Sequence, residues 1–319
     1  MKRIVVTGGA GFIGSHIVDA LVYRERCAAK IVDNFSSGRI ENIERHLNTS
    51  SVSVLRGDLK DPRVADEAIR DSDAVFHFAA NPEVRVSSVS PEVHFNENIL
   101  TTFNVLEAMR RMDVVEIVFA SSSSVYGEPE SIPVREDAPL RPVSVYGATK
   151  VACEALIHAY AKLYGFKAVV LRYANVVGPR LRHGVVYDFV VKLLKNPVEL
   201  EVLGDGSQVR SYLYVDDAVE ATLKAWKSSF RSFDVYNVAS EDWISVRDVA
   251  DLVLEVMKLS NVRYVFRPVL HGVGWPGDVK RVALDISKLK CLGWKPEVGS
   301  AGAVVHTARA LIKELSSSL

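Results

Sequence analysis

Tyr146 and Lys150 are the two residues of this sequence whose types and spacing most directly suggest proton transfer. They lie four residues apart at the head of a predicted helix over Ser144 to Tyr164, so their side chains share one face of it. The pKa of a free tyrosine is about 10, so a phenol that works as an acid or base at neutral pH needs positive charge nearby. The ammonium of Lys150 would supply it. Spacing alone is weak evidence, because the chain contains eleven tyrosines.

A run of hydroxyl side chains strengthens this interpretation. Four consecutive serines begin at the end of a predicted strand over Glu116 to Ser121 and precede Val125-Tyr126-Gly127. Hydroxyls at a strand end can hydrogen-bond an oxygen of a substrate that lies beside the tyrosine. Counting three residues back from Val125 indicates Ser122 as the catalytic hydroxyl. The alternatives are Ser121 and Ser123, and any of these serines could instead cap backbone groups.

A glycine-rich turn near the start of the chain indicates a phosphate-binding site. Gly8, Gly11 and Gly14 follow a predicted strand and open a predicted helix, so the backbone can approach a pyrophosphate at the positive end of the helix dipole. Asp33 ends the second predicted strand, nineteen residues beyond Gly14. A carboxylate there can accept hydrogen bonds from ribose hydroxyls and repel a 2′-phosphate. The combination predicts NAD rather than NADP, although Asp33 could also be a simple turn residue.

These groups need a scaffold, and the first half of the chain supplies one by alternating β-branched runs with amphipathic segments. The predicted strands are Ile4 to Thr7, Lys30 to Asp33, Val52 to Leu55, Ala74 to Phe78, Glu116 to Ser121 and Ala168 to Tyr173. This alternation predicts an α/β fold with a Rossmann-type doubly wound parallel sheet. Beyond Gly178 the elements are shorter and punctuated by Gly and Pro, which predicts a smaller C-terminal α/β substrate lobe.

We therefore divide the chain into an NAD-binding domain over 1–177 and a substrate lobe over 178–319, with a strand near 233–239 that could return to the main sheet. Helices are predicted over Gly11 to Tyr23, Val93 to Met112 and Ser144 to Tyr164, and the last two are long. The last two carry apolar residues at helical spacing, so one face of each is expected to form a homodimer interface.

Composition narrows the possible partners. Thirty-nine basic residues balance thirty-nine acidic ones without forming a basic stripe, so neither nucleic acid nor an anionic membrane is expected as a partner. The three cysteines are far apart and form no metal or redox motif, and no metal is expected. The first strand begins directly after Met1 and no apolar run approaches membrane-spanning length, so we expect a cytoplasmic protein.

The order of these motifs resembles the extended short-chain dehydrogenase/reductase family, and within it the UDP-galactose 4-epimerases and related nucleotide-sugar enzymes. The resemblance covers almost the whole chain. Its matching segments are Gly8-x-x-Gly11-x-x-Gly14, Asp33-Asn34, Gly57-Asp58-Leu59, His77-Phe78-Ala79-Ala80, Asn98, the serine run, Tyr146 with Lys150, Leu171-Arg172-Tyr173-Ala174-Asn175, Gly204-Asp205-Gly206, Arg210, Val215-Asp216-Asp217 and Gly277-Asp278-Val279.

The resemblance implies a set of cofactor contacts. Asp58 and Leu59 would bracket the adenine, although Asp58 and Asn98 could equally be turn or capping residues. The full set of implied NAD-binding residues is Gly8, Gly11, Phe12, Ile13, Gly14, Asp33, Asn34, Ser36, Ser37, Gly38, Asp58, Leu59, Phe78, Ala79, Ala80, Asn98, Ser121, Tyr146, Lys150 and Tyr173. For Val215-Asp216-Asp217 we prefer an acidic helix N-terminus to a binding role.

The resemblance also implies a substrate site for a UDP-hexose. Asn175 and Arg210 would contact the diphosphate, and the full implied set is Ser122, Ser123, Tyr146, Asn175, Arg210, Trp275, Asp278 and Val282. Two positions depart from the family pattern. Trp275 stands where the family usually has arginine, and could stack on a ligand ring or simply pack. Val282 falls where the family adjusts space around the sugar 2-substituent, which leaves N-acetylhexosamines open as substrates.

The reaction implied by the resemblance is epimerisation at the sugar C4. Tyr146, assisted by Ser122, would remove the 4-hydroxyl proton while tightly bound NAD is reduced, and the 4-keto sugar would then turn over and be reduced on its other face. Relatives that dehydrate or decarboxylate usually carry acidic residues just before Val-Tyr-Gly, where this chain has Ser123 and Ser124. The alternatives are a nucleotide-sugar 4,6-dehydratase, decarboxylase or reductase, or a non-catalytic NAD-binding protein.

Overall fold

The main sheet of the protein has seven strands in the order β3-β2-β1-β4-β5-β6-β11, and every neighbouring pair is parallel. The computed structural model describes residues 1–229 and 231–316. Within them the strands are β1 Arg3–Thr7, β2 Ala28–Asp33, β3 Val52–Arg56, β4 Ala74–His77, β5 Glu116–Ser122, β6 Lys167–Tyr173, β7 Asn175–Val177, β8 Glu199–Leu203, β9 Val209–Arg210, β10 Tyr212–Tyr214, β11 Phe233–Val238, β12 Ile244–Ser245, β13 Arg263–Arg267 and β14 Arg281–Val282.

Helices cover both faces of this sheet and build much of the second lobe. In the same described residues they are α1 Phe12–Tyr23, α2 Pro62–Ile69, α3 Pro91–His94, α4 Thr101–Arg111, α5 Val145–Tyr164, α6 Gly184–Lys195, α7 Val215–Ser228, α8 Val246–Met257, α9 Ser287–Cys291 and α10 Ser300–Ser316. Every residue of β4 is buried, as expected for a parallel strand covered on both sides. The predicted Rossmann-type sheet is confirmed. None of the described helices is both long and apolar enough to cross a membrane.

The second lobe has its own apolar core between α6, α8 and α10 and the strands β8 and β13. A small sheet of β12, β9 and β14 places Arg210 opposite Val282. The strand expected near 233–239 is β11, and it pairs with β6 at the edge of the main sheet. The chain therefore crosses from the second lobe back to the first. The proposed domain boundary at 177 remains a prediction. It divides the sequence, but residues from both sides of it form the main sheet.

The segment predicted as one helix over Val93 to Met112 is helical from Pro91 to Arg111, but it is not an α-helix throughout. The structure has α3, then a π-helical turn over Phe95–Leu100, then α4. The hydroxyl of Thr101 donates to the carbonyl of Glu97 at 2.7 Å, and that of Thr102 donates to the carbonyl of Asn98 at 2.6 Å. These side chains therefore bond to two carbonyls of the π-helical turn. Turns of this kind are frequent at functional sites.

The carboxyl ends of the parallel strands gather the predicted chemical groups at one edge of the sheet. β1 ends at Thr7 before the glycine turn, β2 ends at Asp33, and β5 ends at Ser122. The helix α5 begins beside them. Its first residue is set by the Ser144 hydroxyl, which caps the helix by accepting a hydrogen bond from the backbone N–H of Gly147 at 3.1 Å. Open α/β sheets bind their ligands at this edge.

Candidate active site

The glycine turn forms a backbone cradle at the start of α1. Gly8 has φ +65°, and a Cβ there would lie 2.8 Å from the backbone nitrogen of Ala79. A side chain at this position would therefore be strained and would clash. Gly11 precedes α1, and within the described part of the chain no side-chain hydrogen bond caps this helix, whose first turn includes Phe12 and Ile13. The backbone N–H donors of this turn and the helix dipole fit a pyrophosphate.

Asp33 is fixed beside this cradle by two backbone donors. Its carboxylate accepts the N–H of Ala10 at 2.9 Å and that of Phe35 at 2.8 Å. Burial raises the pKa of Asp33, while these two hydrogen bonds act in the opposite direction. A Cβ at Gly38 would lie 2.6 Å from the Asp33 carboxylate. Each carboxylate oxygen has a second acceptor site, so Asp33 can still receive ribose hydroxyls.

The residues that follow Asp33 and those that follow β3 form a rim beside this cradle. Asn34 donates from its amide to the Asp58 carboxylate at 3.3 Å and accepts the N–H of Ser36 at 2.9 Å. Asp58 also accepts the N–H of Lys60 at 3.0 Å, so it has the turn role that the sequence left open. Leu59 beside it is buried. Within this rim, the side chains of Asn34 and Asp58 are joined by their hydrogen bond, and Ser37 lies in the loop that follows β2.

The end of β4 is tied to the glycine turn by His77. Its Nδ1 lies 2.6 Å from the Thr7 hydroxyl and its Nε2 lies 3.0 Å from the Thr102 hydroxyl. Burial, aided by the charge of Lys150, lowers the pKa of His77 to about 3, so the ring is neutral. Thr7 also accepts the N–H of Ala79 at 3.2 Å. These bonds set the path of the Phe78, Ala79 and Ala80 segment along the cleft.

Two predicted cofactor contacts are engaged mainly with protein groups. Asn98 is buried, accepts the N–H of Asn81 at 2.9 Å and donates to the Thr149 hydroxyl at 2.9 Å. It therefore joins the loop after β4 to α5 in the helical turn before Lys150. The hydroxyl of Tyr173 lies 2.6 Å from that of Thr222 on α7. The Tyr173 ring lies 6.5 Å, centroid to centroid, from that of Phe78.

Tyr146, Lys150 and Ser122 are brought together as the sequence predicts. Lys150 is buried, donates from Nζ to the carbonyl of Ala120 at 2.8 Å, and lies 5.8 Å from the centroid of the Tyr146 ring. Burial lowers the pKa of Lys150 to about 8. Burial also raises the pKa of Tyr146 to about 12, although its hydrogen bond with Ser122 opposes the increase. The backbone N–H of Tyr146 donates to the hydroxyl of Ser87 at 3.1 Å.

The serines of the run point in different directions. Ser122 receives the hydroxyl of Ser124 at 3.0 Å and its backbone N–H at 3.2 Å, so the Ser122 proton remains free to be donated. Ser121 donates instead to the buried carboxylate of Glu154. Adjacent side chains of a strand lie on opposite faces, which separates these two. Ser122 is the serine beside Tyr146, and the Ser121 side chain is committed elsewhere.

The predicted diphosphate site contains an arginine that is already paired. The Arg210 guanidinium contacts the Asp278 carboxylate at 2.8 Å and donates to the carbonyl of Val209 at 2.8 Å, and it also reaches the carbonyls of Val279 and Lys280. Asn175 is more exposed, and its amide donates to the carbonyl of Ser211 at 3.4 Å.

The other two predicted substrate residues lie on the segment that follows. Val282 is buried in β14 opposite Arg210. The indole N–H of Trp275 is buried and has no hydrogen-bond partner among the residues that the structure describes. A ligand that accepts this hydrogen bond would remove the cost of leaving the donor unpaired.

Three residues near Tyr146 escaped prediction from the sequence. His94 packs its ring 5.6 Å from that of Tyr146, and Ser87 accepts from the Tyr146 backbone. Glu154 is buried against Arg172 at 2.6 Å. Only Glu154 had a usable signal, since it lies four residues after Lys150 on the same helix face.

Comparison with known proteins agrees with this geometry. Residues 4–239 match the family model described as the NAD dependent epimerase/dehydratase family. A putative UDP-glucose 4-epimerase of Methanocaldococcus jannaschii is 38% identical over 304 residues, spanning 92% of this chain and 93% of that protein.

Two solved structures are similar over nearly their whole length. A crystal structure of a UDP-galactose 4-epimerase has 50% identity and a TM-score of 0.87, covering 98% of this chain and 99% of that one. The Streptomyces venezuelae dTDP-glucose 4,6-dehydratase DesIV with NAD and TYD bound has 27% identity and a TM-score of 0.90, covering 99% and 98%. The similarity thus extends to more than one reaction on nucleotide sugars.

Proposed function

We propose, from the premise that this chain belongs to the NAD dependent epimerase/dehydratase family, that it interconverts UDP-galactose and UDP-glucose by inverting the sugar C4. The observation that carries the proposal is the meeting of Tyr146, Lys150 and Ser122 at the carboxyl edge of a sheet whose glycine turn can hold a dinucleotide. The enzyme is accordingly an isomerase that acts on nucleotide sugars.

Its cofactor is NAD, as in the family to which it belongs. The free backbone donors of α1 would hold the pyrophosphate, and Asp33 would accept the adenosine ribose hydroxyls. NAD, when bound, supplies reversible oxidation of a secondary alcohol. Because inversion at C4 leaves no net oxidation, the cofactor is recycled within each turnover and is expected to remain tightly bound.

Tyr146 moves the proton of the sugar 4-hydroxyl. A phenol with a pKa of about 12 is too weak an acid to ionise alone at neutral pH, so the adjacent ammonium of Lys150 must stabilise the phenolate. Ser122 accepts two hydrogen bonds from Ser124, which leaves its own proton directed to Tyr146 or to the sugar oxygen. The three side chains thereby form a proton-transfer unit that returns to its starting state.

Ser123 and Ser124 favour epimerisation over elimination or decarboxylation. Removing a proton from the carbon next to a transient ketone requires a base, and an unperturbed serine hydroxyl cannot serve as one. In the structure, Ser124 donates both its hydroxyl and its N–H to Ser122 and so supports the oxidation step instead. A 4,6-dehydratase, decarboxylase or reductase is the second candidate, on the ground of the similarity to DesIV.

Val282 and Trp275 bear on the choice of UDP-hexose. Valine occupies less volume than the tyrosine that relatives can carry at this position, which favours acceptance of an N-acetyl group on the sugar. Trp275 replaces a diphosphate-binding arginine but offers a buried N–H donor. We infer that UDP-N-acetylhexosamines are secondary substrates.

A homodimer through α4, α5 and the preceding π-helical turn is part of this proposal. Phe95 in the π-helical turn is 56% exposed, and Phe103 in α4 is 43% exposed. Leu163 and Tyr164 are exposed at the end of α5. Large apolar side chains grouped on a helical surface are typical of a subunit interface. Light scattering after size exclusion measures the mass, and substituting glutamate for Phe95 and Phe103 should yield a monomer.

The decisive experiment incubates the purified protein with UDP-galactose without added NAD and follows UDP-glucose by chromatography. We expect conversion toward an equilibrium mixture, with Tyr146→Phe as the inactive control. Accumulation of a 4-keto product, or release of carbon dioxide from UDP-glucuronate, would instead identify one of the alternative reactions. A parallel panel of UDP- and dTDP-hexoses measures the preferred nucleotide and sugar.

A further inference from the structure

A buried ion pair lies one helical turn from Lys150 and is not used by the proton-transfer unit. Arg172 on β6 donates three hydrogen bonds to Glu154 on α5, two from Nε at 3.0 Å and 3.3 Å and one from Nη2 at 2.6 Å. Their side chains are 6% and 5% exposed. Removing two charges from water is costly unless they are paired and fully hydrogen-bonded.

The remaining hydrogen-bonding groups of the pair are satisfied by neighbouring elements. Ser121 donates to Glu154, and Nη1 of Arg172 donates to the hydroxyl of Tyr126 at 2.8 Å and to the carbonyl of Glu136 at 2.9 Å. Tyr126 in turn donates to Asn237 at 2.7 Å. These contacts hold the Glu154 carboxylate and its partner Arg172 in fixed positions next to the active site.

Four titratable groups around Lys150 are neutral, whereas the Arg172 guanidinium, held in its ion pair with Glu154, carries a positive charge. From β4, His77 has a pKa of about 3, and from α3, the pKa of His94 is lowered mainly by burial. On α5 itself, Tyr146 is a phenol with a raised pKa, and burial raises the pKa of the Cys153 thiol. At neutral pH these four groups contribute no full charge at Lys150.

The carboxylate of Glu154, in its ion pair with Arg172, is the negative charge of this set. It is four residues from Lys150, the spacing at which side chains are neighbours on a helix. Burial disfavours the ammonium of Lys150, and the negative charges of Cys153 and Glu154 would each raise its pKa. Because the Cys153 thiol is protonated, the compensation at neutral pH comes from Glu154.

We propose that Glu154 is a positioning residue for catalysis, whose carboxylate, held by Arg172 and Ser121, keeps buried Lys150 in its charged form beside Tyr146. This inference rests on the proposed function of Tyr146 and Lys150. Arg172 acts as the anchor of Glu154, because its guanidinium is bound on its far side by Tyr126 and the Glu136 carbonyl. The same anchor holds Ser121 and so turns Ser122 toward Tyr146.

The test reads the protonation of Lys150 directly, without turnover. Protein labelled with ¹³C at the lysine Cε is titrated by NMR, and the Lys150 signal is identified by its absence in Lys150→Met. We expect Glu154→Gln to move the midpoint of Lys150 to lower pH by about one unit. Glu154→Asp, which retains the charge, should restore most of the shift, and Cys153→Ser should leave the midpoint in place.

Two additional measurements make the result decisive. If Glu154→Gln fails to fold, because Arg172 is left unpaired, the double variant Glu154→Gln/Arg172→Gln removes both charges and should show a smaller downward shift, because the loss of the Arg172 cation partly offsets the loss of the carboxylate. The alkaline limb of the kcat profile should move with the NMR midpoint. An unmoved midpoint in the folded variant overturns the inference and leaves Glu154 with a packing role. Absence of epimerase activity in the wild type would overturn the proposed function, while the titration would still report on Glu154.

Discussion

The ring of His94 meets the ring of Tyr146 at an interplanar angle of 63°, with centroids 5.6 Å apart. His94 is fully buried, and neither ring nitrogen has a well-formed hydrogen bond among the described residues, although an interaction with the Glu83 backbone opposes the lowering of its pKa by burial. An unsatisfied buried nitrogen costs about 1–3 kcal/mol of stability. The His94 ring thus packs against Tyr146 from α3, and this packing requires that the two ring nitrogens of His94 be buried.

Substitution of His94 separates the ring contact from the nitrogens. His94→Phe should keep turnover within a few-fold of wild type and raise Tm, because it preserves an aromatic ring and removes the unpaired polar atoms. His94→Ala should lower both kcat and Tm, because the Tyr146 ring loses a packing surface. Steady-state kinetics and thermal melts of the two variants check this. Equal kcat in both variants would contradict a supporting role for the ring.

Tyr146→Phe removes only the hydroxyl that transfers the proton. Turnover should fall by about 10²–10⁴-fold while NAD remains bound, since general acid–base groups contribute about that much. The measurement pairs the UDP-galactose assay with the absorbance spectrum of the purified protein, which reports bound cofactor. Near-normal turnover in a correctly folded variant would show that another group transfers the proton.

Activity should decline as pH rises through about 8. The pKa of Lys150 is lowered to about 8, chiefly by burial, and its charged form is the one that stabilises the phenolate of Tyr146. Below this pH Lys150 is protonated and active, and above it the ammonium is lost, so the limb lies on the alkaline side. A kcat profile from pH 6 to 10 tests the sign, and a rate that keeps rising above pH 9 would contradict it.

Asp33→Ala should weaken NAD binding and reduce discrimination against NADP. The variant loses an acceptor for the ribose hydroxyls and the negative charge that repels a 2′-phosphate. It also leaves the N–H groups of Ala10 and Phe35 without their partner, so Asp33→Asn is the matched control that keeps an acceptor. Titration of cofactor-free protein with each dinucleotide measures the ratio of Kd values, and an unchanged ratio would remove Asp33 from selectivity.

Acid should destabilise the fold partly through His77. Its pKa is about 3 in the folded protein because of burial, against about 6.5 in an unfolded chain. The folded state is therefore favoured above about pH 6.5, and this contribution is lost as pH falls from there toward 3, because only the unfolded chain takes up the proton. Tm measured from pH 7.5 to 4.5 should fall less steeply in His77→Asn, whereas parallel curves would exclude this contribution.

Local patterns predicted the strand, glycine turn and helix at the start of the chain, whereas the individual cofactor contacts remain predictions. Gly8, Gly11, Gly14 and Asp33 act through backbone geometry set by their immediate neighbours, so strand, turn and helix could be inferred together. Tyr146 and Lys150 were accessible for the same reason, since one helix turn fixes their relation. Ser122 had to be chosen among neighbouring serines by counting along the sequence. In the structure the pleat of β5 separates them, because adjacent side chains of a strand lie on opposite faces.

Long-range pairing was not predictable from such patterns. Arg210 lies beside Asp278, sixty-eight residues away in sequence, and its guanidinium is occupied by that carboxylate and by carbonyls. Apolar periodicity records neither the π-helical turn before α4 nor the hydroxyl bonds from Thr101 and Thr102 to its carbonyls. Burial of His94 against Tyr146 likewise follows from how the loop after β4 folds over α5.

The return of β11 to the main sheet limits how the protein can be divided. Phe233–Val238 pairs residue for residue with Ala168–Tyr173, so β11 covers the outer edge of β6. A fragment that stops at 177 would expose that edge as a row of unpaired backbone groups bordered by apolar side chains, a surface that recruits strands from other molecules. The cofactor-binding half should therefore aggregate when expressed alone and should be rescued when residues 178–319 are supplied in trans.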